Sequence, residues 1–156
     1  AEVVVEKDFA ADLPLIRGDA AKLRQIFTNL IGNAIKFTRA GGSVKIRALR
    51  LSDGGALVQI KDTGIGMSDE EIKIAMTPFG QVDGGRTRWR EGTGLGLPIA
   101  KSLIELHSGK LTIESQKDAG TMVSVALPSR HAVTAFGQSE AMGYARMAEP
   151  DTMSMI

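Results

Sequence analysis

Two glycine-rich turns, about thirty residues apart, carry the residue types in this chain that are best suited to holding a ligand. The first reads Asp62-Thr63-Gly64-Ile65-Gly66-Met67, and the second reads Gly92-Thr93-Gly94-Leu95-Gly96-Leu97. Glycine adopts positive φ angles without steric cost and lets a ligand approach the bare backbone. The pair of turns therefore indicates one ligand that is held at both ends.

The two turns offer different chemistry. The second leads into a helical pattern, and the N–H groups at a helix start favour an anion such as phosphate. The carboxylate of Asp62 is unsuited to phosphate without a metal, but it can accept a hydrogen bond from an amino group such as that of adenine. We expect a nucleotide site with the base at Asp62 and the phosphates near Gly94.

Composition excludes several other classes of function. The chain has 156 residues, 43% hydrophobic and 24% charged, which is enough for one domain with a core. A net charge of +1 argues against a nucleic-acid surface, and the lack of cysteine excludes disulfides and thiolate chemistry. No apolar run has the length of a membrane span, and the first residues lack the pattern of a signal peptide. We expect a soluble chain which, starting without Met, is part of a longer protein.

One long amphipathic helix is predicted from Asp19, a suitable N-cap, to about Phe37. Its apolar residues recur at helical spacing: Leu23, Ile26, Phe27, Leu30, Ile31 and Ala34. Beside them, Asn29, Asn33 and Lys36 form a polar stripe. The stripe is either a solvated face or a ligand-facing edge. In the second case an Asn amide oxygen suits Mg²⁺, and Lys36 suits phosphate.

Further elements follow from periodicity and turn residues. Short strands are predicted near residues 3–5, 44–49, 57–60, 111–113 and 123–127. Ser68 and Glu71 form a capping box for a short helix to about Met76. A third helix is predicted to start near Gly94, because Pro98 is tolerated only in a first turn. His107 near its end is interpreted as a partner of the helix dipole.

Two segments lack periodicity. Residues 77–93 contain Arg86, Arg88 and Arg90, which are either a solvated charge run or phosphate contacts of a lid that closes over the ligand. Residues 129–156 are interpreted as a loosely ordered tail after a domain of residues 1–128. The chain contains no P-loop and no dinucleotide G-x-G-x-x-G.

Four motifs in order resemble the N, G1, F and G2 boxes of the sensor histidine kinase catalytic domain. They are Asn29-Leu30-Ile31-Gly32-Asn33-Ala34-Ile35-Lys36-Phe37, Asp62-Thr63-Gly64-Ile65-Gly66, Pro78-Phe79-Gly80-Gln81 and Gly92-Thr93-Gly94-Leu95-Gly96-Leu97. The run 78–83 with Gly96-Leu97-Pro98 is similar to cell-cycle sensor kinases of the DivJ and PleC type. The resemblance covers roughly residues 1–128. It implies the α+β fold of the GHKL (Bergerat) type, a two-layer sandwich of a mixed, mostly antiparallel sheet of about five strands on three helices.

The resemblance also implies roles for individual residues. Asn33 matches the Mg²⁺ ligand, Lys36 a phosphate contact, and Arg88 a lid arginine, and these three are the expected catalytic residues. Asp62 matches the carboxylate that reads adenine, and Thr121 resembles a Thr near the adenine end. The remaining positions expected to bind ATP are Asn29, Phe37, Gly64, Ile65, Gly66, Gly92, Thr93, Gly94, Leu95, Gly96 and Leu97.

The activity implied by the resemblance is transfer of the ATP γ-phosphoryl group to a histidine, with Mg²⁺ as the metal. The implied partners are the dimerisation and phosphoacceptor domain of the same homodimeric kinase and a response regulator, with no nucleic acid and no membrane contact by this chain. The implied location is the cytoplasm, including the cytoplasmic part of a membrane-bound sensor. Neither His107 nor His131 lies in a phosphoacceptor motif, so we expect the chain alone to bind ATP without autophosphorylation.

Two alternatives stay open from the sequence. One is a pseudokinase, an interaction module that regulates another kinase without phosphoryl transfer. The other is an ATPase of the GHL type, which is disfavoured because Gln25 and Asn29 leave no glutamate on the first helix to activate water.

Overall fold

The protein is described by a computed structural model that covers residues 2–80 and 93–129. Its elements are β1 (Val4–Phe9), α1 (Ala20–Phe37), β2 (Ser43–Arg50), β3 (Ala56–Asp62), α2 (Asp69–Ala75), α3 (Gly96–Leu106), β4 (Lys110–Gln116) and β5 (Gly120–Leu127). Within these residues five strands form one sheet and three helices accompany it, which confirms the predicted α+β fold class.

The strand order of the sheet is β1-β2-β3-β5-β4. β1 pairs with β2 in parallel, and the other three pairings are antiparallel. Alternate residues of the central strands point to the helices and are buried, as Val44, Ile60 and Val125 show. The sheet therefore has one apolar face, and its polar face lies on the other side.

The core lies between that apolar face and the helices α1 and α3. Ile26 and Leu30 of α1, with Ala100 and Ile104 of α3, are at most 2% exposed and belong to one cluster with the buried strand residues. Burying an Ile or Leu side chain contributes about 1.5–3 kcal/mol. The apolar stripe predicted for α1 thus fixes that helix against the sheet and leaves its polar stripe at the edge of the core.

The caps of α1 and α2 follow the prediction. Asp19 Oδ1 accepts from the N–H groups of Ala21 at 2.9 Å and Lys22 at 3.1 Å, and Ser68 and Glu71 form both bonds of the capping box. His107 lies at the end of α3, where its Nδ1 is 2.7 Å from the Leu103 carbonyl oxygen. Its Nε2 accepts from the Asp19 N–H at 3.2 Å, so the ring joins the end of α3 to the start of α1 by hydrogen bonds.

Several predicted boundaries differ from those of the structure: β4 ends at Gln116 instead of near residue 113, and β5 begins at Gly120 instead of near residue 123. β1 extends to Phe9 because its backbone pairs with β2 through that residue, a contact that the local pattern of Val3 to Val5 does not reveal. α3 begins at Gly96, two residues after Gly94, because Gly94 has a φ of +66° and lies outside the helical region. No helix in residues 2–80 or 93–129 is long and apolar enough to cross a membrane.

Candidate nucleotide-binding site

The polar stripe of α1 is half-buried. Asn29, Asn33 and Lys36 have intermediate exposure, between the buried Ile26, Leu30 and Ala34 on one side and solvent on the other. The Lys36 Nζ atom lies 5.3 Å from the centre of the Phe37 ring, close enough for a cation–π contact. This placement differs from a fully solvated face and favours the ligand-facing interpretation.

The middle of α1 meets the start of α3. Asn29 Nδ2 donates to the Gly96 carbonyl oxygen at 3.3 Å. A Cβ atom at Gly96 would lie 3.8 Å from Asn33 Nδ2 and 3.9 Å from Asn29 Cβ, so the glycine leaves the space beside both amides open. The structure thus brings the two Asn residues of the first helix next to the second glycine turn, as the nucleotide hypothesis requires.

The N-terminus of α3 is open to a ligand. Its N-cap, Leu95, makes no side-chain cap, and no described residue accepts from the N–H of Gly96 or Leu97. Pro98 is the third residue of the helix, where a missing N–H costs nothing. The Gly94 carbonyl oxygen accepts from the Phe79 N–H at 3.1 Å, which holds the turn from behind. Such a terminus is suited to an anion.

The turn residues around this terminus are accessible. Thr93 is exposed, and Gly94, Leu95, Gly96 and Leu97 are half-buried. Residues 81–92 of the predicted lid, which include Arg88 and Gly92, lie outside the described part of the chain. Residues 130–156 of the predicted tail also lie outside it. The roles assigned to them stay predictions.

Asp62 is the buried carboxylate of the site. It ends β3 and is 6% exposed. Its Oδ1 accepts from the N–H of Gly64 at 2.8 Å and from the N–H of Thr121 at 3.2 Å. Its Oδ2 accepts from no residue in the described ranges. One oxygen is therefore fixed by the backbone, and the other is left as an acceptor for a ligand.

Burial determines the electrostatics of this group. Desolvation raises the pKa of Asp62, and the hydrogen bonds from Gly64 and Thr121 oppose that rise only in part. The ionised form is thus held in the protein at a cost, which a donor from a ligand would offset. A perturbed carboxylate of this kind favours a functional site over a purely structural one.

The glycines of the first turn are required by close backbone contacts. A Cβ atom at Gly64 would strike the Phe37 carbonyl oxygen, and one at Gly66, whose φ is +62°, would strike the Gln116 carbonyl oxygen. Ile65 donates from its N–H to the same Phe37 oxygen at 3.2 Å. The turn is therefore held between the C-terminal end of α1 and the β4–β5 hairpin.

The β4–β5 hairpin supplies contacts that the sequence did not reveal. Ser115 Oγ accepts from the Met67 N–H at 2.8 Å and lies 2.7 Å from Thr121 Oγ1. Asp118 donates from its N–H to the Ile65 carbonyl oxygen at 2.7 Å. Among these residues only Thr121, which follows Gly120, could be assigned to the site from the sequence. The other contacts depend on strand register.

The two turns lie along one helix. Phe37 touches the first turn, and Asn29 touches the second. Eight helical residues rise about 12 Å, which is a separation that an extended nucleotide can bridge. The buried carboxylate and the open helix terminus are therefore placed so that one ligand can reach both.

Comparison with known proteins identifies the family of this site. The family model for histidine kinase-, DNA gyrase B- and HSP90-like ATPases matches residues 18–131. This chain belongs to that family. The ATPase match includes all four motifs and both turns of the site.

Named relatives of this ATPase domain are histidine kinases. The cell-division control histidine kinase PdhS of Brucella abortus is 36% identical, over 81% of this chain and 13% of the relative. The mycobacterial sensor histidine kinase MprB has a TM-score of 0.69 at 27% identity, over 82% of this chain and 83% of that one. Full-length ShkA in complex with AMPPNP has a TM-score of 0.69 at 30% identity, over 81% of this chain and 25% of that one.

These similarities define the type of domain. The chain is a catalytic ATPase domain of the histidine kinase type, as its motifs predicted. The name of PdhS is consistent with the predicted similarity to cell-cycle kinases. The chain spans about an eighth of the length of this curated relative, 13%.

Proposed function

We propose that this chain binds Mg-ATP and positions the γ-phosphoryl group for transfer to a histidine on a separate dimerisation domain, as the catalytic domain of a two-component sensor histidine kinase. One observation carries the proposal. The buried carboxylate of Asp62 has one oxygen fixed and one available, and the turn that follows it contacts the C-terminal end of α1. The open N-terminus of α3 contacts the middle of the same helix α1.

At the base end, Asp62 Oδ2 would accept the exocyclic amine of adenine. The two backbone donors at Oδ1 prevent the carboxylate from rotating away. A base with a carbonyl oxygen in place of that amine would face a buried negative charge, so the site selects adenine. The structurally similar full-length ShkA forms a complex with AMPPNP, which is an adenine nucleotide.

At the phosphate end, the N–H groups of Gly96 and Leu97 would bind phosphate oxygens, and Lys36 would supply positive charge. The described residues contain no group of three or more His, Asp or Glu side chains that could hold a metal. A neutral amide such as Asn33 fits Mg²⁺ that keeps most of its waters and is otherwise bound by phosphate. The donor set therefore predicts a metal that binds with the nucleotide and not before it.

The chemistry of this domain is positioning and charge neutralisation. Phosphoryl transfer passes through a loose transition state, in which little covalent work is left to the protein. Mg²⁺, when bound, would neutralise charge on the phosphate oxygens. Asn33 would hold the metal, α3 would orient the phosphates, and Arg88 would contact them from the lid.

The acceptor histidine would come from the dimerisation domain of the homodimeric kinase, in the cytoplasm. The curated relative PdhS is much longer than this chain, which is consistent with additional domains. A response regulator would receive the phosphoryl group next. No observation in the described residues favours the pseudokinase alternative.

Calorimetric titration with ADP in magnesium tests the binding step. We expect saturable binding that Asn33→Ala weakens by about 10-fold or more, the loss expected for a contact to a charged group. Thr28→Ala, at an exposed position of the same helix, is the matched control and should leave the affinity unchanged. Mg²⁺ titrated alone should give no binding heat. Unchanged affinity in Asn33→Ala, or an equal loss of affinity in Thr28→Ala, would contradict the assigned metal contact.

Phosphoryl transfer needs a second experiment. The chain is incubated with radiolabelled ATP and the separately produced dimerisation domain of PdhS. We expect acid-labile, alkali-stable label on that domain and none on the chain itself. Saturable ATP binding without transfer to this or any other dimerisation domain supplied would favour the pseudokinase alternative.

A further inference from the structure

Three polar side chains form a row on the face of the sheet that otherwise packs against the helices. Asp62 ends β3, Thr121 lies on β5, and Ser115 lies on β4. Ser115 pairs with Thr121, and Lys61 pairs with Met122, which places Asp62 opposite Thr121. The equivalent row two residues further into the sheet is apolar: Ile60, Val123 and Ile113. The polar row marks the point where the core ends and the base end of the nucleotide site begins.

The hydrogen bonds of Ser115 join this row to the first glycine turn. Its Oγ accepts from the Met67 N–H at 2.8 Å, lies 3.1 Å from the Gly120 carbonyl oxygen, and lies 2.7 Å from Thr121 Oγ1. Ser115 has one proton to donate, and either Gly120 or Thr121 can accept it. The same side chain therefore contacts both the turn and the neighbour of Asp62.

We propose that Ser115 is a positioning residue that sets the direction in which the Thr121 hydroxyl offers its proton to the base. This inference rests on the proposed function, because it concerns how that site distinguishes adenine from other bases. Ser115 itself does not touch the base and acts through Thr121.

Two hydrogen-bond arrangements are compatible with the distances. If Ser115 donates to Gly120, Thr121 donates to Ser115 and presents only lone pairs to a ligand. If Ser115 donates to Thr121, the Thr121 proton turns to the ligand, and the hydroxyl becomes a donor beside Asp62. The 2.7 Å separation of the two hydroxyl oxygens is short enough for a strong bond in either direction.

The second arrangement matches the edge of adenine. Adenine carries the acceptor N1 next to its amine, whereas hypoxanthine carries a carbonyl oxygen next to a protonated N1. Asp62 as acceptor and Thr121 as donor are complementary to the first base and opposed to the second. Because Ser115 supplies the proton that orients Thr121, its loss should reduce selectivity for adenine more than general affinity.

The test compares ADP with inosine diphosphate, both in magnesium, by calorimetric titration of the whole chain. We expect Ser115→Ala to weaken ADP binding by about fivefold and inosine diphosphate binding by less than about twofold. Ser115→Thr keeps the hydroxyl and should restore selectivity. Ser124→Ala, at a serine on the opposite face of β5 that contacts Gln59, is the matched control and should change neither affinity.

A double-mutant cycle separates positioning from general weakening. In a Thr121→Val background, Ser115→Ala should have no further effect on ADP affinity, because the residue it acts through is gone. If Ser115→Ala does not fold, Ser115→Cys, whose thiol is a weak donor, takes its place in the same cycle.

Several results would overturn the inference: equal weakening of both nucleotides, an undiminished effect in the Thr121→Val background, or unchanged ADP affinity in Ser115→Ala. The last result leaves the proposed function standing. If the unsubstituted chain does not bind ADP, the proposed function and this inference both fail.

Discussion

Replacing Asp62 by Asn should separate nucleotide binding from folding. The two backbone N–H groups of Gly64 and Thr121 require an acceptor at the position of Oδ1. They therefore orient the Asn amide with its oxygen toward the backbone and its NH₂ group at the position of Oδ2. That NH₂ group would meet the adenine amine donor to donor.

The expected loss of affinity follows from this geometry. A hydrogen bond to a charged group contributes about 1.5–3 kcal/mol, or about 10- to 150-fold in Kd, and an opposed donor adds to the loss. We expect ADP to bind at least about 100-fold more weakly to Asp62→Asn, as measured by calorimetry. Asp53→Asn is the matched control, because Asp53 Oδ1 also accepts a backbone N–H, from Gly55 at 2.9 Å, far from the site.

At neutral pH and without ligand, Asp62→Asn should be at least as stable as the unsubstituted protein. Burial raises the pKa of Asp62 above its unfolded value. The folded state then holds the proton more tightly, and the stability contributed by this group is present below the unfolded pKa and is lost as pH rises through the folded pKa. Asn has no charge to desolvate, so this loss disappears.

Urea unfolding at pH 7 measures the stability of Asp62→Asn, and calorimetry with ADP measures its affinity. Tight ADP binding by Asp62→Asn would refute the assigned contact. If Asp62→Asn unfolds at much lower urea concentration but still binds ADP, then the ionised Asp62 stabilises the fold, and the cost assigned to its burial would be refuted.

The remaining predictions concern pH, backbone and caps. ADP affinity should fall on acidification at a higher pH than an ordinary Asp titrates, because the raised pKa of Asp62 makes it protonate early, and calorimetry between pH 7 and pH 4 checks this. Gly120→Ala should destabilise the protein by about 1–3 kcal/mol in urea unfolding, because φ is +100° and the Cβ would strike the Asp62 carbonyl oxygen. Gly32→Ala, with nothing within 4 Å of its Cβ, should stabilise the protein by up to about 1 kcal/mol. A variant pair in which Gly32→Ala is less stable than Gly120→Ala would contradict the contacts described at these two glycines. Ser68→Ala should cost about 1 kcal/mol by removing the capping box, and an unchanged midpoint would show that the cap contributes nothing.

The parts of the fold that depend on local periodicity were predictable from the sequence. The stripe of α1 repeats at the helical period, so both its buried face and the neighbouring polar stripe could be assigned. The caps at Asp19 and Ser68 are short-range patterns of residue type. The family of the domain was predicted from four motifs in order, a signal that is independent of tertiary contacts.

The parts that depend on long-range pairing were not predictable. β1 carries Glu6, Lys7 and Asp8 and is exposed at every position, so only its pairing with β2 reveals its length. The contact of Ser115 with Thr121 follows from register across a hairpin, and Ser115, unlike Thr121, had no local motif that marked it. The start of α3 depends on a left-handed φ at Gly94, which residue type permits but does not require.

A crystal structure of the chain with Mg²⁺ and AMPPNP would test the two-ended site most directly. We predict the adenine amine within hydrogen-bond distance of Asp62 Oδ2, the phosphates at the N–H groups of Gly96 and Leu97, and the metal at Asn33. An adenine base bound away from Asp62, or phosphates away from the N-terminus of α3, would contradict the two-ended site.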